Sequence, residues 1–488
     1  MTAPLPPGFA IELDADTRQL SDGTLFGGSP ARAMRLTAAG ERALAELKAG
    51  PVRSAQAGAL ARRLTDAGLA HPVPPAAATG AIALSVTVVI PVRDRAEMLD
   101  RCLAATGAAY PVVVVDDGSA DPVSIASVTG RQGARLRRRD CSGGPAAARN
   151  TGLAGIDTDL IAFLDSDCVP PPGWIGSLAA HLADPLVGAV APRIVIPRRA
   201  PGTAARRYAA ARGSLDLGPR QARVLPASRV SYVPTAALLV RRAALAAAGC
   251  GGSVFDPQLR YGEDVDLVWR LHQAGWRIRY DPDIEVAHDG PVGWAGLLAR
   301  RFRYGTSAAP LARRHPDSMA PLVLQPWPTA AAAALLARKP VLAAAAAAGG
   351  WLNLTATVRR AGIPADGAPA ATVTAVRQTW LGIGRYATQF AAPALGAALA
   401  APGGQSAATR WGRRAAVASL LLGPPLAAYA ERKPGLDPIR FTLGHIADDA
   451  CYGAGVWAGC LLERTLIPVR PAVSWRQLRV TRPPDKER

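Results

Sequence analysis

The chain has 488 residues, more than the roughly 100–200 of one domain, so two or three units are expected. Of its net charge of +19, +15 lies from Arg300 to the end, where 24 Lys/Arg face 9 Asp/Glu, interleaved with Ala/Leu-rich stretches rather than stacking aromatics or finger patterns. This favours the anionic inner leaflet of a membrane over nucleic acid, and six cysteines without a CxxC fit a reduced cytoplasm rather than a disulfide framework.

The opening Met1–Gly8 lacks the basic-then-apolar order of a signal peptide, so secretion is not expected. Residues 1–72 predict a small α+β unit of winged-helix type: strands over Phe9–Leu13 and Leu20–Phe26, a helix after the capping Thr37, and a second helix over 57–67 ending at Gly68. A Pro/Ala/Gly linker follows over 73–84. From 85 to 309 short apolar runs alternate with helical stretches. Strands are expected at 86–90, 112–115 and 160–164, and helices at 96–105, 145–155 and 174–182. That alternation predicts an α/β fold with a mostly parallel sheet, whose ligands bind outside the carboxyl ends of the strands. Residues 310–488 read as a basic helical region, with Ala/Leu-rich helices over 330–337, 343–351, 388–401 and 415–430, the last interrupted by Gly423-Pro424-Pro425. None has the roughly 18–20 uninterrupted apolar residues of a bilayer span, 415–430 coming nearest. Their Arg338, Lys339, Arg413 and Arg414 stand at helix ends suited to lipid phosphates, which makes the region peripheral at the cytoplasmic face.

Three acidic pairs carry the chemistry. Asp116-Asp117 ends the strand over 112–115, Asp165-Ser166-Asp167 ends the strand over 160–164, and Glu263-Asp264 opens a helix. Each has a plainer reading as a turn or a helix start, where Asp, Ser and Gly are common. Two carboxylates two residues apart on an extended backbone share one face, and hard oxygen ligands at a strand end suit a divalent ion on a diphosphate. His288 ends a further strand-like run, and Arg300, Arg301, Arg303 and Tyr304 follow on a basic helix.

Val-Thr-Val-Val-Ile-Pro91, Val-Val-Asp-Asp-Gly-Ser119, Gly144-Pro-Ala-Ala-Ala-Arg-Asn-Thr-Gly152, Phe-Leu-Asp-Ser-Asp167, Leu-Val-Arg-Arg242 and Gly262-Glu-Asp-Val-Asp266 occur in that order. Together they resemble the family 2 glycosyltransferases of GT-A fold, over roughly residues 85–305. The resemblance implies an inverting transfer from a UDP-sugar, dependent on Mg²⁺ or Mn²⁺. It implies that Pro91 and Arg93 line the nucleotide pocket, Asp116 or Asp117 takes the base, Asp165 the ribose, and Asp165, Asp167 and His288 the metal. Arg149 would steady nucleotide or carboxylates, and Asp264, beside Glu263, would be the general base. The order of units, a winged-helix-like peptide-recognition unit, a family 2 domain and a basic tail, resembles the glycosyltransferases of the mycofactocin system. That implies glucose from UDP-glucose, a peptide-derived acceptor and a β-linked oligosaccharide. The rivals are a membrane-associated transferase with a lipid or cell-wall glycan acceptor, and a catalytically silent peptide-binding scaffold. A nucleotidyltransferase is disfavoured because Pro91-Val-Arg-Asp-Arg95 has no glycine-rich phosphate loop.

Overall fold

The computed structural model describes residues 3–20, 23–75, 84–197, 202–249, 253–291, 293–360, 364–402 and 406–474, and the backbone of 479–481. The N-terminal unit contains β1 (Ala10–Leu13), β2 (Arg18–Gln19), β3 (Thr24–Gly27), β4 (Arg32–Arg35), α1 (Ala38–Ala49), α2 (Ala55–Ala67) and β5 (Ala70–Val73). Thr37 caps α1 by accepting from the Gly40 N–H at 3.2 Å, Ser54 caps α2 in the same way, and Gly68 at φ 73° ends it. The strand expected over 20–26 shortens to β3 because the chain turns between Leu20 and Thr24; positions 21 and 22 lie outside the described residues. Most of the expected linker, 76–83, lies outside them too.

The central sheet is built from β6 (Val86–Val92), α3 (Ala96–Thr106), β7 (Val112–Asp117), α4 (Pro122–Arg131), β8 (Arg135–Arg139), α5 (Gly144–Leu153), β9 (Leu160–Leu164), β10 (Cys168–Val169), α6 (Trp174–Ala180), β11 (Val187–Val195), α7 (Ala204–Arg212), β12 (Ala222–Val224), β13 (Ala237–Arg241), α8 (Arg242–Ala248), α9 (Glu263–Gln273) and β14 (Arg277–His288). The strand order is β10-β14-β11-β13-β9-β6-β7-β8, with β12 on β14. β9, β6, β7 and β8 are parallel, as are β11 and β14, while β13 runs antiparallel between the two sets. Apolar side chains cover both faces of the sheet, Val88, Ile90 and Val114 in one core and Val89, Ile161 and Phe163 in the other, so these strands read as continuous apolar runs. The N-terminal unit is bolted to this sheet by ion pairs. Arg62 reaches Asp184 through two bonds of 2.7 Å with both side chains buried, Asp66 pairs with Arg277, and Asp14 and Asp16 with Arg229.

Beyond the sheet come α10 (Trp294–Thr306), α11 (Ala308–Arg314), β15 (Val323–Leu324), α12 (Pro326–Leu336), α13 (Pro340–Arg360), α14 (Ala368–Ala400), α15 (Ala407–Arg432), α16 (Pro438–Leu462), β16 (Ala472–Val473) and β17 (Arg479–Thr481). β17 adds a parallel strand to β4, so the far end of the chain returns to the N-terminal unit. Three expectations change here. α15 runs unbroken through Pro424 and Pro425, Pro424 lying against Gly384; the kink falls in α14, at Ala391 just before Pro393. Among the described residues, the helix long and apolar enough to cross a membrane, by length and composition, is α13 and not 415–430. Arg338, Arg413 and Arg414 donate to the carbonyls of Ala408, Ala401 and Leu399; the latter two arginines thus satisfy the open C-terminal end of α14, which draws cations for the same reason lipid phosphates would.

α16 was not foreseen, although Asp437 caps it and Pro438 opens it. It crosses α10 closely enough that a Cβ at Gly455 or Gly459 would collide with the carbonyls of Phe302 and Thr306, and one at Gly453 with that of Gln389 on α14.

Candidate active site

A cavity of about 1520 Å³ opens where β6, β7 and β9 end, and α9, α10, α14 and α16 close its other side. Pro91, Arg93, Asp117, Arg149, Asp165, Asp167, Glu263, Asp264 and His288 all line it. Asp116 does not. Fully buried, it accepts from the Ser119 N–H at 2.9 Å and pairs with Arg138, closing the turn that follows β7. Of the two carboxylates, Asp117 alone therefore lines the cavity.

Asp117 is itself held by four donors: Arg139 Nε at 2.7 Å, Gly143 N at 3.1 Å, Ser142 Oγ at 2.8 Å and Gly144 N at 2.8 Å. Burial opposes its charge, but the Gly143, Ser142 and Gly144 donors and the nearby Arg139 charge hold it below the usual carboxylate range. It thus pins the glycine-rich start of α5 against the sheet edge. Arg93 donates to Ser142 Oγ at 3.2 Å on the same rim.

Arg149 is neither a surface nor a capping arginine. From within α5, buried, it donates to Asp165 Oδ1 at 2.6 Å and Glu263 Oε1 at 2.8 Å, with its guanidinium 5.7 Å from the centre of the Phe255 ring. Burial works against its charge, and the two carboxylates more than offset that. Arg149 so links the strand end that carries Asp165 to the helix start that carries Glu263.

Asp167 Oδ2 meets Arg95 Nη1 at 2.5 Å and lies 3.6 Å from His288 Nε2, because β10 pairs with β14 and sets Cys168 opposite His288. Burial holds His288 below the ordinary histidine value against the pull of Asp167, so the ring is neutral with a lone pair to give. Asp165, turned toward Arg149, does not join this pair, and among the described residues no three His, Cys, Asp or Glu side chains converge as a closed metal site. An anionic oxygen and a neutral imidazole side by side would suit a divalent ion that takes its remaining ligands from a diphosphate and water. Of the three residues expected at a metal, Asp167 and His288 lie side by side, while Asp165 faces Arg149.

Asp264 is half-buried at the start of α9. Burial, and then the neighbouring Glu263, push its pKa up to about 7. Glu263 is also raised by burial, against the opposing charge of Arg149. Asp266, two residues on, is a framework group paired with His315 at 2.9 Å and Arg270 at 2.8 Å.

The sequence reading missed Arg95, Tyr232, Arg385, Gln389 and Tyr452, which also line the cavity. Arg95 was legible as the residue just before α3, four beyond Pro91. The others come from a connecting segment and from helices whose sequence shows composition but no motif.

The description Glycosyl transferase family 2 matches residues 87–246. Over 478 residues, 96% of this chain and 98% of the relative, the chain is 40% identical to the pre-mycofactocin glycosyltransferase of Mycobacterium tuberculosis. The chain therefore belongs to the family 2 glycosyltransferases, and it resembles that mycobacterial enzyme from end to end. Shorter matches are to glycosyltransferase AglE of Haloferax volcanii, 30% identical over 45% of this chain and 71% of the relative, and to the N-acetylglucosaminyl-diphospho-decaprenol L-rhamnosyltransferase of M. tuberculosis, 32% identical over 39% and 71%. Among solved structures, a Pyrobaculum calidifontis mannosyltransferase in complex with GDP-Man and Mn²⁺ aligns at TM-score 0.43 and 20% identity, over 78% of this chain and 90% of its own.

Proposed function

We propose that the protein is an inverting glucosyltransferase that moves glucose from UDP-glucose onto the peptide-derived cofactor mycofactocin or its precursor, extending a β-linked oligosaccharide. One observation carries the reading: a carboxyl held near pKa 7, Asp264, shares a cavity with the Asp167 and His288 pair, through carboxylates bridged by Arg149. The acceptor hydroxyl attacks the anomeric carbon from the face opposite the diphosphate. As the new C–O bond forms, the bond to the diphosphate oxygen breaks, its electron pair leaves with the nucleotide, and the hydroxyl proton passes to an Asp264 oxygen. Asp165 and Arg149 hold the ribose side, Asp117 fixes the turn under the base, and Arg300, near His288, faces the leaving phosphates. A divalent ion held by Asp167 and His288 would neutralise the charge that builds on the diphosphate. The full-length likeness to the mycobacterial enzyme supports the acceptor.

The N-terminal unit is assigned the grip on the acceptor or its precursor. Arg229, held by Asp14 and Asp16, lies three residues before the cavity-lining Tyr232, so the unit anchors the segment that forms this wall. Incubation with UDP-glucose and Mg²⁺ or Mn²⁺ tests the donor. Wild type should release UDP, and Asp167→Asn should lower kcat/KM for the donor by about 100-fold. A wild type that turns over no UDP-sugar overturns the assignment.

Contact with the inner leaflet is supported by α13, on which Val341, Ala345, Ala348 and Leu352 form one exposed stripe beside Trp351, with Arg359 and Arg360 at its end. Vesicles of phosphatidylglycerol and phosphatidylcholine should sediment the wild type, and Val341→Asp with Leu352→Asp should abolish that; sedimentation unchanged by the substitutions argues against α13 as the contact.

A further inference from the structure

α14 and α16 lie outside the matched family region, yet they supply one whole wall of the catalytic cavity, with Tyr386, Gln389 and Phe390 from the first and Tyr452 from the second. At the centre of α16, Asp448 and Asp449 are almost fully buried. Asp448 accepts from the Tyr208 hydroxyl at 3.1 Å and pairs with Arg212 and with Arg301 at 2.5 Å. Arg301 in turn stands 5.1 Å from the centre of the Tyr452 ring. Asp449 accepts from Arg212 Nη2 at 3.0 Å and from Gln389 Nε2 at 3.0 Å, and meets Arg385 at 3.4 Å. Each carboxylate therefore positions side chains that face the cavity: Asp448 acts through Arg301 on Tyr452, and Asp449 acts directly on Gln389 and Arg385.

The base lines the same cavity. Tyr232 and Tyr304 lie close enough to Asp264 to feel its charge, Tyr232 also neighbours Arg301 and Tyr452, and burial keeps both phenols protonated. Asp264 thus has two neutral phenols near it, in the same cavity as the Gln389 amide held by Asp449. Ring faces stack on flat apolar surfaces, and an amide and guanidinium bind oxygen.

We propose that the α14–α16 wall is the acceptor subsite, taking a flat ring with oxygen atoms on its rim, and that Asp448 and Asp449 are its positioning residues. The ring packs against Tyr452, and a rim oxygen meets the Gln389 amide. This rests on Asp264 being the acceptor base. An aromatic head and a terminal pyranose both have this chemistry, so the probes are N-acetyl-L-tyrosinamide and cellobiose, each titrated into the full chain loaded with UDP and followed by saturation-transfer NMR. At least one probe should bind through its ring protons, and which one does identifies the source. Tyr452→Ala should weaken that binding by about tenfold, Gln389→Ala should weaken it too, and Tyr452→Phe should stay within about twofold. Asp449→Asn should raise acceptor KM while KM for the nucleotide sugar moves less than about twofold; should it fail to fold, Gln389→Ala carries the same test. If neither probe binds, or Tyr452→Ala binds as wild type does, the proposal is overturned. A wild type that binds a ring but turns over no UDP-sugar refutes the proposed reaction and leaves the subsite standing.

Discussion

Replacing Asp264 with Asn is expected to lower the rate of sugar transfer by about 10²–10⁴-fold, the usual worth of a positioned general base. UDP should still raise the melting temperature of the variant, because the proposed nucleotide site lies at the strand ends and not on α9. The same carboxyl sets the pH response. Only the ionised form accepts a proton, and burial beside Glu263 places its pKa at about 7, so kcat/KM should climb through that pH and level off above it. An Asp264→Asn variant as active as wild type, or a wild-type profile flat from pH 5 to 8, assigns the proton to another group. The displacement also has a stability side. A carboxyl whose folded pKa is above its unfolded value helps the fold most at low pH, and that help is lost as pH rises from the ordinary 3.8 through about 7. A group that costs stability at working pH belongs with function more readily than with structure.

The second large effect is at Arg149. Arg149→Met leaves the Asp165 and Glu263 carboxylates without the guanidinium that neutralises them in a buried setting, which should cost about 3–5 kcal/mol in urea or thermal unfolding. Glu263, already raised by burial, would rise further. Its raised pKa makes the loss smaller at low pH, where the carboxyl is protonated, and larger as pH increases. Arg149→Lys keeps the charge but not the two-pronged reach of Nη1 and Nη2, so it should recover only part of the stability and little of the activity. Equal stability of Arg149→Met and wild type across pH 5–8 would rule out the bridging role.

What could be read before folding, and what could not, divides along a physical line. A buried parallel strand is a short apolar run wherever it occurs, so β6, β7 and β9 were legible, as were the carboxylates where they surface. The Thr37 cap and the Gly68 stop act over three or four residues, so α1 and α2 were legible as well. Partners across long separations left no such trace. Adjacent in sequence, Asp116 and Asp117 differ because Arg138 and Ser119 take the first while the glycine turn before α5 takes the second. Arg149 stood out from its place after the glycine-rich turn, but its partners Asp165 and Glu263, 16 and 114 residues away, were set only once α5 had carried it between them.

By itself, then, the sequence determined the α/β class, the family and the acidic pairs, because these depend on local periodicity and on residues within a few positions of one another. Tertiary structure alone decided the surroundings of each carboxylate. It seated Asp167 with His288 through the β10 and β14 pairing, raised Asp264 by burial next to Glu263, and brought α16 against α10 by glycine contacts. Desolvation and charge act through space, and no spacing along the chain encodes them.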